Sequence, residues 1–454
     1  MKIQWNAIAW LVALKVVAAA AATPAPDYAG RWEVTTAYPG GVYVAGLELT
    51  ADGPNYVGRS GYLVHDGPFP YKYAGTLQPD GLHLQILSPG DGKAFGSLAV
   101  QERKGVLSGS GQLYGVPITV VARRPKQPPA TPRVITYEPK IFYGSYSAAN
   151  PPALRIFSGD TVRTKTLDAN GHDEHDVAAA VSGNPLTGPF YVEGAMVGDT
   201  IAVHFNSIRP NRDTAFQNRG SLSPGAVPPG YRQQRPQNWS NLWILDRVNG
   251  TARPDGPSEK LKGYQVRLVP MLGSVGTAPI GDSIIDSAEL GRFGGNLDYN
   301  EIREGVTLYL PVYQAGAMLE MGDGHAMQAD GEITGQGLET SMDVEFTVTL
   351  IRDELLDQPW AENDRYIMVS GIGGSLQAAQ QNATAGLSNW LISHYRLDSG
   401  EVATVLATSI RYDIAEVVDP EVHVVARIGK DVLALLPRQA RPKAVVCSGS
   451  CEFE

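Results

Sequence analysis

Glycine and proline occur throughout this chain and constrain its fold more than any other feature. Among 454 residues there are 50 Gly and 32 Pro. They separate short runs of β-branched and aromatic residues, and clusters such as 51–53 (Ala-Asp-Gly) and 79–81 (Pro-Asp-Gly) mark turns. Because both residues interrupt helices and favour turns between strands, the sequence predicts a mainly β protein with many short strands.

The chain is too long for one hydrophobic core, so more than one domain is expected. Residues 27–124 predict a small antiparallel β domain, because their short runs alternate between apolar and polar residues. Residues 125–139 are rich in proline, which stiffens a chain and removes backbone donors, and they are interpreted as a linker. Residues 140–440 then form the larger domain.

Three strand openings inside 140–440 resemble one another. The pairs Gly159-Asp160, Gly198-Asp199 and Glu304-Gly305 each precede a β-branched run. Tight turns that feed strands in this way predict stacked β-layers, as in a sandwich or roll. Apolar residues at helical spacing over 376–395 predict a helix, and 402–412 a second one. These C-terminal helices are expected to cap the sheets.

The charge of the chain argues against two classes of partner. The formal net charge is −10, and phosphate-binding surfaces need clustered Lys and Arg. Nucleic acid and anionic membrane surfaces are therefore disfavoured. Beyond the N-terminus, no segment has the roughly 20 apolar residues of a membrane span.

The first 25 residues have the layout of a secretory signal peptide. Lys2 gives a positive start, residues 8–17 are largely apolar, and an alanine run follows. The expected location is therefore secreted or periplasmic, with an N-terminal anchor helix as the alternative. Cys447 and Cys451 stand close to the C-terminus and are interpreted as a minor disulfide or free thiols.

Residues 322–332 are the segment richest in candidate metal ligands. If the segment is extended, Asp323 and His325 project to one face, and so do Asp330 and Glu332. An imidazole beside carboxylates suits a divalent ion such as Zn²⁺. The alternative is a glycine-rich turn with solvated acids and one hydrogen-bonded histidine.

A second polar segment, 167–175, can supply further ligands to the same ion. It contains His172, Asp173, Glu174 and His175, although the whole chain has only 8 His. A polar surface turn is the alternative. Other nucleophile systems are missing: there is no Gly-x-Ser-x-Gly motif, and both cysteines are terminal. Water activated by a metal is the chemistry that remains.

Several segments, in this order along the chain, resemble the acetamidase/formamidase family. They are 182–189 (Ser-Gly-Asn-Pro-Leu-Thr-Gly-Pro), 191–195 (Tyr-Val-Glu-Gly-Ala), 269–273 (Val-Pro-Met-Leu-Gly), 294–298 (Gly-Gly-Asn-Leu-Asp), 307–312 (Thr-Leu-Tyr-Leu-Pro-Val) and the Gly-Asp-Gly-His stretch with its Asp-Gly-Glu tail. The resemblance spans about residues 155–425. It implies a β-rich fold, a divalent metal, and hydrolysis of a linear amide to a carboxylic acid and ammonia.

The resemblance also implies roles for particular residues. Asp168 matches an acidic position of the family, and with Asp323 and His325 it is predicted to bind the metal, expected to be Zn²⁺ with Ca²⁺ as the alternative. The predicted catalytic residues are Glu332 for proton transfer, Asn296 as a donor to the developing oxyanion, and Asp330.

Two residues depart from the family pattern. Phe293 stands where the family usually has His before Gly-Gly-Asn, and Ala329 replaces a Gly in its acidic loop. The alternative function is a secreted β-sandwich that binds a metal or polar ligand without turnover. The expected partners are a small amide substrate and, left open, further copies of the chain in a homo-oligomer.

Overall fold

The computed structural model describes residues 27–64, 67–88, 90–218, 220–233 and 240–437. The predicted signal peptide, Cys447 and Cys451 lie outside these ranges. Strands make up 46% of the structure and helices 10%, which confirms the mainly β prediction.

The N-terminal unit is an antiparallel barrel in which each of eight strands pairs with the next and the last pairs with the first. The barrel confirms the predicted small antiparallel domain. Its core consists of inward side chains such as Trp32, Leu82 and Leu107, as expected when apolar and polar residues alternate along a strand. The strands are β1 (Gly30–Tyr38), β2 (Gly41–Asp52), β3 (Asn55–Val64), β4 (Gly67–Gln78), β5 (Gly81–Leu87), β6 (Ala94–Arg103), β7 (Val106–Leu113) and β8 (Val116–Arg123).

A sandwich of two sheets follows. In spatial order, the nine-stranded sheet contains β28 (Arg411–Glu416), β29 (Val422–Gly429), β27 (Tyr366–Gly373), β26 (Trp360–Glu362), β23 (Thr307–Pro311), β14 (Thr200–Pro210), β25 (Met342–Ile351), β12 (Thr161–Thr166) and β9 (Val134–Thr136). The six-stranded sheet contains β11 (Leu154–Ile156), β13 (Leu186–Val192), β24 (Leu319–His325), β19 (Met271–Gly276), β22 (Gly294–Asn296) and β21 (Leu290–Gly291).

Two smaller sheets accompany the sandwich. One is the pair β10 (Ser145–Tyr146) and β20 (Ile285–Asp286), and the other contains β15 (Thr214–Phe216), β16 (Leu242–Asp246), β17 (Thr251–Pro254) and β18 (Val266–Arg267). Strand β9 lies within the segment predicted as a linker, 125–139, and pairs in parallel with β12. Part of that segment therefore belongs to the nine-stranded sheet, and the exact domain limits stay predictions.

The largest core lies between the two sheets of the sandwich. Leu272 and Leu319 of the six-stranded sheet pack in one cluster with Phe205, Val344 and Phe346 of the nine-stranded sheet. Along β25, buried residues alternate with more exposed ones, so one face of the strand supplies the core. This packing confirms the predicted β-sandwich.

The predicted C-terminal helices pack on the other face of the nine-stranded sheet. Helix α1 spans Leu376–Tyr395 as predicted, and the Ser375 side chain caps its N-terminus. Helix α2 ends at Ser409, earlier than predicted, because Ile410 is extended and the chain continues into β28. The elements α2 (Ser399–Ser409), α3 (Lys430–Leu433) and two 3₁₀ turns (Pro224–Ala226 and Glu259–Leu261) complete the structure. No helix in the described ranges has both the length and the apolar character that a membrane span requires.

The three similar strand openings are turns in the structure. Gly159, Gly198 and Gly305 have φ angles of 94°, 92° and 83°, in the left-handed region that favours glycine. Strands β12, β14 and β23 begin two residues later. The sequence therefore correctly placed the starts of three strands of the nine-stranded sheet.

We predict that Gly371→Ala destabilises the protein. A Cβ at this position of β27 would lie 2.1 Å from the carbonyl oxygen of Ala379 and 2.2 Å from the backbone nitrogen of Ala383 in α1. Because backbone cannot move aside as a side chain can, the helix must shift, at a cost of about 1–3 kcal/mol in the free energy of unfolding. Denaturant unfolding measures this loss. Gly374→Ala is the control, since its Cβ would have only Glu421 Oε2, at 4.0 Å, within reach.

Candidate functional site

Four buried carboxylic acids surround one buried histidine at the edge of the sandwich core. Strand β24 carries Asp323 and His325, Asp298 follows β22, and Glu332 and Glu339 lie in the segment between β24 and β25. None of the five is more than 7% exposed. Ligand atoms of Asp298, Asp323 and His325 lie within 4.8 Å of one another, and so do those of His325, Glu332 and Glu339. We call these five residues the acidic cluster.

The hydrogen bonds of Gln328 fix the tautomer of His325. Gln328 Nε2 donates to the carbonyl oxygen of Asp298 at 2.6 Å, which leaves Gln328 Oε1 as the acceptor 2.7 Å from His325 Nδ1. Nδ1 therefore carries the proton. His325 Nε2 lies 3.3 Å from Asp323 Oδ1 and 3.1 Å from Glu339 Oε2. In the neutral form of His325, which binding of a metal ion at Nε2 requires, the Nε2 lone pair points at carboxylate oxygens.

Buried carboxylates next to one another have raised pKa values. Desolvation is the largest cause, and it raises the pKa of Glu339 to about 7. Desolvation and the neighbouring acids also hold the pKa of Asp298 and that of Glu332 well above the usual range. Burial disfavours the charged form of His325, but the carboxylates of Glu339 and Asp323 outweigh it, so its pKa is raised. The acidic cluster binds protons strongly unless another cation takes their place.

The side-chain amide of Asn296 bonds to two acids through its nitrogen and to two neutral side chains through its oxygen. Its Nδ2 donates to Asp298 Oδ2 at 2.5 Å and to Asp419 Oδ2 at 2.9 Å, while its Oδ1 accepts from Ser274 Oγ and Asn184 Nδ2. Both N–H groups therefore bond to carboxylates. Asn296 lies beside the acidic cluster as predicted, but the predicted role as an oxyanion donor does not agree with these bonds.

Two glycines leave room for the acidic cluster. A Cβ on Gly273 would lie 2.4 Å from both Asp298 Oδ1 and Asp323 Oδ2. A Cβ on Gly337 would lie 2.6 Å from the ring of His325. Any larger residue at either place would displace a member of the cluster.

Asp168 lies outside the acidic cluster in the described structure, which does not agree with its prediction as a metal ligand. Its carboxylate, 1% exposed, forms a buried ion pair with Arg212 and accepts the backbone N–H groups of Asn170 and His172. A carboxylate whose oxygens are bound to a guanidinium and two amides is committed to structure. The loop that it anchors continues to Asn184, which donates to Asp323 Oδ2 at 3.3 Å.

Asp330 is exposed and accepts a hydrogen bond from Asn300, which does not agree with its prediction as a catalytic residue of a buried site. Asp330 and Glu332 were expected on one face of a strand. Instead β24 ends at His325, and the chain turns through Gly331 and Glu332, whose φ angles are 80° and 44°. The turn points Glu332 inwards and Asp330 outwards.

The second polar segment is a surface turn, the alternative considered from the sequence. His172 Nδ1 pairs with Asp176, Glu174 pairs with Lys165, and Asp173 accepts the backbone N–H of His175. These side chains are at least partly exposed and bond to their own segment or to Lys165. They supply no ligand to the acidic cluster in the described structure.

Phe293, which replaces the usual histidine, is 4% exposed and packs beside Tyr146 with a ring separation of 5.2 Å. Leu186 and Tyr313 belong to the same apolar cluster. The aromatic residue is therefore accommodated by apolar packing next to the motif that carries Asn296.

Sequence reasoning missed Glu339, Gln328, Asp419 and Asn184 as residues of the site. Asn184 stands in the quoted 182–189 motif and Gln328 in the 322–332 segment, so both were visible but had no assigned role. Glu339 and Asp419 have no spacing that relates them to His325. They reach the site only because β24, β25 and β29 bring their connecting segments together.

Comparisons with known proteins agree with this architecture. Residues 283–385 match the Acetamidase/Formamidase family model, and all five residues of the acidic cluster lie in this range. The chain resembles the acetamidase/formamidase family in both sequence and fold. The resemblance predicted from the sequence motifs is thereby confirmed. None of the curated proteins compared with the chain matches it.

Three solved structures show how far the acetamidase/formamidase likeness extends. A recombinant predicted acetamidase/formamidase from Thermoanaerobacter tengcongensis is 25% identical, with a TM-score of 0.58, covering 67% of this chain and 99% of its own. An acetamidase from Yersinia enterocolitica is 26% identical, with a TM-score of 0.58, and the match covers 66% of this chain and 93% of its own. An acetamidase from Bacillus halodurans is also 26% identical, with a TM-score of 0.57, and the match covers 66% of this chain and 99% of its own. Since about a third of this chain is not covered, it contains structure beyond these relatives.

We predict that the metal-free protein loses stability as the pH rises from about 4.5 to 7.5. Burial raises the pKa of Glu339 and that of Glu416 from the usual value of 4.5 to about 7, so the folded state binds extra protons. This stabilisation is complete below about pH 4.5 and is lost as the pH rises through 7, for a total on the order of a few kcal/mol. Below pH 6.5, His423 acts oppositely, because burial lowers its pKa to about 4.

Denaturant unfolding in chelator across this pH range measures the effect, and a divalent ion should flatten the curve. Glu339→Gln should reduce the slope. Glu345→Gln, which changes a surface carboxylate paired with Arg163, should leave it unchanged. A stability that rises with pH in chelator would contradict the electrostatic account.

We predict that Asp168→Asn lowers stability and not metal content. Removing the carboxylate leaves the Arg212 guanidinium, 6% exposed, without its buried partner, at a cost of about 3–5 kcal/mol. Unfolding and metal analysis of the folded variant test both statements. Glu304→Gln breaks the exposed pair with Arg209 and should cost less than about 1 kcal/mol. Loss of metal from folded Asp168→Asn would restore Asp168 as a ligand.

Proposed function

We propose that the protein is a metal-dependent hydrolase of linear amides, which it converts to a carboxylic acid and ammonia. The observation that carries the proposal is the acidic cluster, in which one imidazole lone pair faces several buried carboxylate oxygens. The likeness to acetamidases supports the choice of an amide carbonyl as the electrophile.

The residues of the acidic cluster fit a divalent cation. His325 Nε2, Glu339 Oε2 and Asp298 Oδ1 are buried atoms without a hydrogen-bond partner among the described residues. A cation would satisfy all three, whereas an empty cluster must bind protons to avoid repulsion. His325, Asp323, Asp298 and Glu339 are the proposed ligands, and the mixed N/O donor set suits Zn²⁺, with Ca²⁺ as the alternative. A bound divalent ion would polarise the amide carbonyl and acidify water.

Glu332 is the proposed proton carrier. Its burial raises its pKa towards the range where a carboxyl group can both accept and donate a proton. Its carboxylate takes one proton from the attacking water, and the same proton passes to the amide nitrogen as the C–N bond breaks. Water and amide are thus consumed, and acid and ammonia are formed in balance.

Gln328 and Asn296 are proposed as positioning residues. Gln328 holds the Nδ1 proton of His325, so that Nε2 stays available as a ligand atom. Asn296 keeps Asp298 and Asp419 at fixed places through its two N–H groups. Removing such partners of metal ligands typically costs about 10–100-fold in metal affinity or activity.

Ammonia release from formamide, acetamide and longer amides, with and without chelator, tests the proposal. His325→Ala is expected to lose both bound metal and hydrolysis. Glu332→Gln should keep the metal but lose about 100-fold or more in kcat, because it cannot carry a proton. Asp330→Asn, at an exposed position two residues away, is the matched control and should retain both.

Two outcomes would count against the proposal. Hydrolysis that survives in His325→Ala with normal metal content would remove the acidic cluster from the reaction. Stoichiometric metal without hydrolysis of any amide would favour the alternative, a module that binds a metal without turnover.

A further inference from the structure

A groove on the outer face of the nine-stranded sheet is separate from the acidic cluster. It has a volume of about 600 Å³ and lies where β23 and β26 meet α1 and α3. A second cavity of about 360 Å³ adjoins it and shares Trp360, Trp390 and His394. No residue of the acidic cluster lines either cavity. We call the joined space the aromatic groove.

Aromatic rings stacked on one another form one wall of the groove. Tyr309 and Trp360 are parallel with ring centroids 3.7 Å apart, Trp360 meets Trp390 edge to face at 5.7 Å, and Trp390 stacks on His394 at 4.2 Å. Tyr309 and Trp390 are only half-buried, so part of each ring contacts the cavity. The π-systems of aromatic rings that line a cavity can attract cations.

Carboxylates outnumber cations around the aromatic groove. Glu354, Asp357 and Glu362 line it, whereas Lys430 is the only Lys or Arg among the described residues that line it. Glu362 accepts from Lys430 Nζ at 2.5 Å and from the Tyr309 hydroxyl at 2.6 Å. Partial burial acts in the opposite direction, but these two donors hold the pKa of Glu362 below its usual range, so it is ionised at neutral pH. The groove therefore carries an excess of negative charge.

Two further donors in the same wall have no partner. The indole Nε1–H groups of Trp360 and Trp390 are buried and unpaired among the described residues, and Trp360 is only 6% exposed. Buried donors of this kind are normally bonded. Because neither nitrogen has accessible surface, these donors do not contact a ligand in the groove, and binding there has to come from the rings and the carboxylates.

We propose that the aromatic groove binds a small organic cation of the alkylammonium class. The aromatic rings and the excess carboxylates that line the groove attract its charged group. The site requires no reaction and no metal, so it stands independently of the proposed amide hydrolysis.

Calorimetric titration of the full chain with choline, compared with its neutral isostere 3,3-dimethyl-1-butanol, tests the proposal. The two probes share shape and hydroxyl, so a binding constant for choline at least about tenfold larger isolates the charge. Added salt should weaken choline binding. Trp390→Leu and Glu362→Gln should each reduce it by about tenfold or more.

Glu345→Gln is the matched control for Glu362→Gln. Glu345 is 28% exposed and pairs with Arg163 at 2.5 Å, while Glu362 is 30% exposed and pairs with Lys430 at 2.5 Å. Because Glu345 does not line the groove, Glu345→Gln should leave choline binding unchanged. Equal binding of the neutral isostere, absence of choline binding, or full binding by folded Glu362→Gln would each overturn the proposal. Amide hydrolysis in the same samples reports on the acidic cluster separately.

Discussion

Desolvation of four carboxylic acids around a single imidazole is the constraint on which the rest of the site depends. Asp298, Asp323, Glu332 and Glu339 are withdrawn from water, and buried charges that are not compensated cost several kcal/mol each. One histidine can balance only one of them. The folded chain must therefore hold extra protons or a cation, and this requirement couples its stability to pH and to divalent ions.

The sandwich supplies the rigidity that such a site needs. Strand β24 lies between β13 and β19 inside the six-stranded sheet. At its end, the backbone of His325 pairs with Met271 on one side and with Glu339 on the other. Around them, Gln328 Oε1 bonds to the imidazole, while both N–H groups of Asn296 donate to carboxylates. Side chains fixed in this way keep their geometry without reorganising during a reaction.

The ion pair between Asp168 and Arg212 supports the site from a distance. It anchors the loop in which Gly183 and Asn184 bond to the carbonyl oxygen of Ala169, and Asn184 in turn reaches Asp323. Asp168 thus matches an acidic position of the family but has a structural role in this chain. The aromatic groove is the opposite case, because it is a candidate binding site that no sequence motif indicated.

The sequence by itself determined the fold class and the elements with strong local signals. Turns with glycine in the left-handed region placed the starts of β12, β14 and β23, and apolar spacing placed α1, because these depend on neighbours along the chain. The sequence also indicated Asp323, His325, Glu332 and Asn296, which stand in short motifs.

Only the tertiary structure decided which acids meet. Glu339 and Asp419 join the site from distant segments, and Asp168 and Asp330 are excluded from it, one by a buried guanidinium and the other by a turn. Spacing along the chain cannot predict which acids meet. A buried carboxylate turns towards the partner with which it has the lowest free energy once water is removed. That partner is chosen by the packing of the sheets.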